Sequence, residues 1–151
     1  MVSSKFVQMI EDHSEQIAGG VLHRLQRDHR TPHIARLPVS ELHDQCQAIL
    51  KNLGHWLAES RDDEVSRSFE DIGRLRAREG VPLHEAVHAL HVLKERMLDY
   101  VRDQGIAQTS MDLYAEEELE NQIGRLFDSV VYYVVKGYEC APHRAASAAV
   151  R

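Results

Sequence analysis

The 151-residue chain contains no apolar run of signal-peptide or membrane-spanning length that is free of charge. Its opening, MVSSKFVQMIEDHSEQ, turns acidic by Glu11, before a secretory core can develop. No membrane association is expected, and the expected location is cytoplasmic. Cysteine is scarce as well: Cys46 and Cys140 lie far apart and fit neither a CxxC redox motif nor a metal-binding spacing. A disulfide framework is excluded, and a reduced compartment follows. Aromatic residues make up only 6% and basic residues are outnumbered, with 18 Lys and Arg against 24 Asp and Glu, for a net charge of -6. That balance argues against a broad electrostatic grip on nucleic acid or anionic lipid, so neither is expected as a partner.

The length suits one domain, large enough to bury a core without a metal or disulfide. Apolar residues at 43% and charged residues at 28% are ordinary for a globular chain. Alternation of the strand type is absent over any useful length, and periodicity of the helical type recurs throughout. Phe6, Ile10, Ile17, Val21 and Leu25 predict a first helix, from residue 5 to about residue 28, where Thr31-Pro32 stops it. Gly19-Gly20 is its weak point, a candidate kink or close contact. Ser40 is the expected cap of a second helix, with Leu42, Cys46, Ile49, Leu50, Leu53 and Leu57 on its buried stripe and Trp56 widening it.

An acidic turn follows, and Val65, Phe69, Ile72 and then Leu75 or Arg76 predict a third helix that Gly80 ends. Arg74, Arg76 and Arg78 crowd its last turn, where cations complement the helix dipole; an anion or partner contact is the alternative reading. Pro82 opens a fourth helix with Leu83, Val87, Leu90, Met97 and Val101 as its stripe, closed by Gly105. Thr109 and Asp112 form a start signal for a fifth, carrying Leu119, Ile123, Leu126, Val130 and Val134. The end of that helix, LFDSVVYYVVKGYE, reads as apolar nearly all round, which calls for cover at the centre of a bundle or across a homodimer interface.

Ten histidines are the compositional oddity, and HEAVHALH, residues 84 to 91, concentrates three of them. HEAVH matches HExxH, in which His84 and His88 share a helix face and bind zinc while Glu85 polarises a water. His91 as a third ligand sits about 10 Å along the axis from His84, too far for one ion on one helix, and the longer HExxHxxGxxH continuation is missing. Glu85 and His88 also form an E-x-x-H step of the di-iron type, but no second copy exists. Glu116, Glu117, Glu118 and Glu120 suit a helix N-terminus instead. Around the helix, His84, His88 and His91 fall beside the apolar stripe, where polar packing, a metal (zinc or iron) or a pH-responsive edge are all open readings. Haem ligated by a histidine is a further candidate.

Residues 72 to 105, IGRLRAREGVPLHEAVHALHVLKERMLDYVRDQG, resemble the N-terminal sensor-type domain of RsbT co-antagonist proteins, a domain also found ahead of some bacterial histidine kinases. The carrying residues are Arg76, Ala77, Gly80, Val81, Pro82 and Leu83, supported by VVYYVVKGYE near the end, and the likeness spans residues 5 to 139. It implies an all-helical, dimeric input domain in bacterial stress signalling that passes a signal to an output module. With no room expected for a STAS or kinase output in this length, the expectation is either a partner acting in trans or loss of the usual output. The family supplies no catalytic residues.

The expectation is therefore an all-α bundle of about five helices, with a globin-like arrangement as one candidate, forming a homodimer. Residues 1–139 are expected to form one domain and 140–151 a flexible tail. The function expected is regulatory, with no catalysis and no required cofactor. The alternatives are a metal-binding protein or metal-dependent hydrolase using His84, His88 and His91, and a haem sensor.

Overall fold

The computed structural model describes residues 4–58, 62–105 and 108–142. Among these residues the fold is all-α, with seven helices, a single 3-10 turn and no strand. They are α1 (Ser4–Asp12), α2 (Ser14–Arg27), α3 (Val39–Lys51), α4 (Leu53–Leu57), α5 (Asp62–Arg78), α6 (Leu83–Asp103) and α7 (Ser110–Cys140), with the 3-10 turn at Ile34–Arg36. The count exceeds five because each of the first two expected helices is broken.

The first break is at His13, not at the glycine pair. His13 Nδ1 bonds the Met9 carbonyl at 2.8 Å, and the His13 amide is shared between the carbonyls of Met9 and Ile10. A side chain that competes for a helix carbonyl bends the chain. α2 runs straight through Gly19 and Gly20; a Cβ on Gly19 would meet nothing, and one on Gly20 would sit 3.6 Å from the Arg96 guanidinium. The second break is at Asn52, whose side-chain amide donates to the Ala48 carbonyl at 2.7 Å. Glu11 of α1 accepts the Gly54 amide at 2.8 Å, satisfying a first-turn donor of α4. Leu50 and Leu53, on either side of the break, are both fully buried, and Trp56 packs edge-on against Phe69. α3 starts at Val39 after Pro38, one residue ahead of a Ser40 cap, since the fixed φ of proline preorganises the turn.

The remaining boundaries follow the expected signals. Past α5, Gly80 has φ +74°; its amide donates to the Ala77 carbonyl and that of Val81 to the Arg76 carbonyl, the paired bonds of a Schellman ending. Gly105, at φ +60°, follows α6. The Thr109 hydroxyl accepts the Asp112 amide at 3.1 Å and opens α7. In α6 the stripe is shifted from the expected one: Ala86, Leu90, Leu93, Met97 and Val101 are buried, while Leu83 and Val87 sit half-buried at its edge.

α5 and α7 form the most extensive helix pair, and two glycines make it possible. A Cβ on Gly73 would lie 2.1 Å from the Val134 carbonyl oxygen, and one on Gly137 would lie 2.1 Å from that of Glu70. The backbones therefore touch at this crossing. α7 is not apolar all round: Asp128, Ser129, Tyr132 and Lys136 face outward, while Phe127, Val130 and Val134 point into the core. α7 continues through Cys140, Ala141 is buried, and residues 143–151 of the expected tail, His143 included, lie outside the described residues. No helix among the described residues is long and apolar enough to cross a membrane.

Candidate functional site

The segment HRTPHIARLP between α2 and α3 is held down on α6 by residues of HEAVH. Glu85, fully buried, accepts the backbone amides of His33 at 2.9 Å and Ile34 at 3.2 Å, and the His33 ring nitrogen Nδ1 bonds its other carboxylate oxygen. One turn on, His88 Nε2 meets Asp28 Oδ2 at 2.8 Å. Asp28 also takes the Arg30 guanidinium at 3.0 and 3.1 Å and the Arg30 amide at 2.9 Å. The Arg30 side chain and amide, and then His88, hold the Asp28 carboxyl well below the usual carboxylate range. Thr31, buried, donates its hydroxyl to the Leu25 carbonyl at 2.7 Å, which closes the end of α2.

This arrangement separates the three histidines of the motif. His84 and His91 are exposed, and His88 is half-buried against Asp28. The carboxylate of Glu85, the water-polarising group of the zinc reading, is committed to two amides and a ring nitrogen. Among the described residues no three His, Cys, Asp or Glu side chains are grouped to hold a metal ion.

Beside this segment lies an apolar pocket of about 70 Å³ that is partly open to solvent. Val21, Leu22 and Leu25 of α2 form one wall, Leu42, Cys46 and Ile49 of α3 another, and Ala86, Ala89, Leu90 and Leu93 of α6 a third. Ile34, set by the Glu85 bonds, and Ile72 of α5 with Val134 of α7 complete its apolar lining. No histidine lines it, and its volume is far below what a porphyrin fills. Cys46 is part of the apolar wall, where burial pushes its thiol up to about 12, so it stays protonated and inert.

Two polar side chains interrupt this lining, Arg76 of α5 and Gln45 of α3. Arg76 is 9% exposed; Nη1 donates to Glu79 at 2.6 Å and Nη2 donates to the Gln45 side-chain oxygen. Arg76 and Arg78 lie in the last turn of α5 as expected, and Arg76 is the only one of Arg74, Arg76 and Arg78 that is buried. A signal for it was present, since Arg76 falls four residues after Ile72 on the stripe of Val65 and Phe69. Asp28 and His33 gave no comparable signal, because their partners on α6 lie 60 and 52 residues away.

Fold and site together define an all-helical module with a small apolar chamber whose wall carries one buried guanidinium. The family model for the RsbT co-antagonist protein rsbRD N-terminal domain matches residues 15–151, and the chain belongs to that family, one of regulatory domains in stress signalling. No curated protein and no solved structure matches the chain.

Proposed function

We propose that this domain is the input module of a bacterial stress-signalling system, taking a small, largely apolar ligand into the chamber among α2, α3, α5 and α6. The observation that carries this reading is the chamber itself, which Ile34 lines from a segment fastened by the side chains of Glu85 and His88 rather than by continuous helix. A ligand moves the equilibrium between two packings only by binding them unequally, and a segment fastened at a few points is where two packings differ most cheaply. The response passes without catalysis to a protein partner in trans, of the RsbT kind that the family description names.

Xenon tests the chamber directly. Methyl resonances of Ala86, Ala89 and Leu90 are expected to shift on xenon saturation in the wild type and to stay still in Ala89→Leu, whose added side chain fills the space. Unmoved methyls in the wild type would remove the basis for the reading.

The working unit is a homodimer joined through the outer face of α7. Arg125, Asp128, Tyr132, Lys136 and Glu139 are exposed along one stripe, and none of the four charged groups has an ion-pair partner among the described residues. Asp128 and Lys136 lie four residues either side of Tyr132, and Arg125 and Glu139 seven either side. An antiparallel copy centred on Tyr132 sets each charge opposite its complement, as a two-fold interface requires.

A further inference from the structure

Resting on the chamber reading, we propose that the ligand is a short aliphatic monocarboxylate, held by the Arg76 guanidinium, and that it binds by displacing the carboxylate of Glu79. Burying an arginine in an otherwise apolar wall is costly unless its donors are used. Of five N–H donors, one goes to Glu79 and one to Gln45. Glu79 is a replaceable partner: it sits three residues on, in the turn that leaves α5, with a side chain more exposed than that of Arg76. A planar carboxylate inside the chamber would match the guanidinium fork, with its aliphatic tail against Leu25, Cys46 and Leu90.

The lining selects against other classes. A cation meets the guanidinium charge, and a sugar or nucleobase would leave its polar edges unpaired against leucine and isoleucine. Size narrows the choice further, since a pocket of about 70 Å³ suits a small molecule rather than a bulky one.

The exchange also provides a route outward. Glu79 precedes Gly80 in the α5 ending, and the next carbonyl, that of Val81, accepts the Tyr138 hydroxyl of α7 at 2.6 Å. Releasing Glu79 from Arg76 loosens the turn that anchors the far end of α7. A short acid in the chamber is thereby coupled to the helix that carries the outer charged stripe.

Calorimetric titration with sodium butyrate, and with butyramide as its neutral match, tests the assignment. Wild-type protein is expected to bind butyrate about tenfold or more tightly than butyramide, because only the carboxylate can take the place of Glu79 as counter-ion to the guanidinium. Arg76→Met should erase that preference while butyramide still binds. Glu79→Gln, at a more exposed position, should tighten butyrate several-fold and leave butyramide unchanged, which keeps the test decisive if the Arg76 variant fails to fold. Equal affinities in the wild type, or an unchanged butyrate affinity in Glu79→Gln, would overturn the proposal. Binding of butyramide and xenon without butyrate would do the same yet leave the chamber reading standing; if xenon also fails, both fall.

Discussion

At the scale of single residues, Glu85 decides how HEAVH is used. Its carboxylate is the partner of two amides, so truncation leaves the buried Ile34 amide and the part-buried His33 amide without it. Glu85→Ala is expected to lower stability by about 2–4 kcal/mol, at the upper end for a lost buried hydrogen-bonded charge. Chemical denaturation would measure it, and the loss should be accompanied by faster amide exchange at His33 and Ile34. A change below the error of the measurement would mean that the segment carrying His33 and Ile34 is held some other way. The two cysteines make a second contrast: Cys46 is buried with its thiol pushed up to about 12, whereas Cys140 is exposed at the end of α7. A thiol reagent at neutral pH should modify Cys140 promptly and Cys46 only on unfolding, giving one fast equivalent and one slow one.

At the scale of helices, the α5–α7 crossing depends on having no side chain at two places. Gly73→Ala and Gly137→Ala each put a methyl carbon 2.1 Å from a backbone oxygen that cannot rotate away. The helices must move apart, at a cost of about 1–3 kcal/mol or more for each substitution, read as a fall in thermal midpoint. Gly19→Ala is the control, since its Cβ meets nothing and alanine favours helix; a small gain is expected there. Helix ends were legible because their signals are local: Gly80, Pro82, Gly105 and Thr109 act on neighbours within a few residues. The breaks at His13 and Asn52 were not. Histidine and asparagine in a helical stretch are compatible with continuing it, and what tips the balance is a bond back to a carbonyl, together with Glu11 reaching across from α1.

At the scale of the whole molecule, the proposed pairing through α7 makes the charges of its outer face interdependent. Lys136→Glu sets like charges against Asp128 in both symmetric contacts, and should weaken association roughly tenfold, as seen by sedimentation or light scattering. Exchanging both, Asp128→Lys with Lys136→Asp, should restore it. A strict monomer at high concentration would end the dimer reading, and a dimer indifferent to both changes would place its interface elsewhere.

The amino-acid order determined by itself that the fold is all-helical, where most helices stop, and which face of most of them turns inward, because period and capping are written in residues a few positions apart. It left the last position of the α5 stripe open between Leu75 and Arg76. Only the tertiary structure decided that Glu85 serves a loop 52 residues away, that two glycines let α5 and α7 touch, and that the arginine faces a chamber. Those contacts join residues with no local dependence on one another, so their chemistry becomes visible only when the chain brings them within bonding distance.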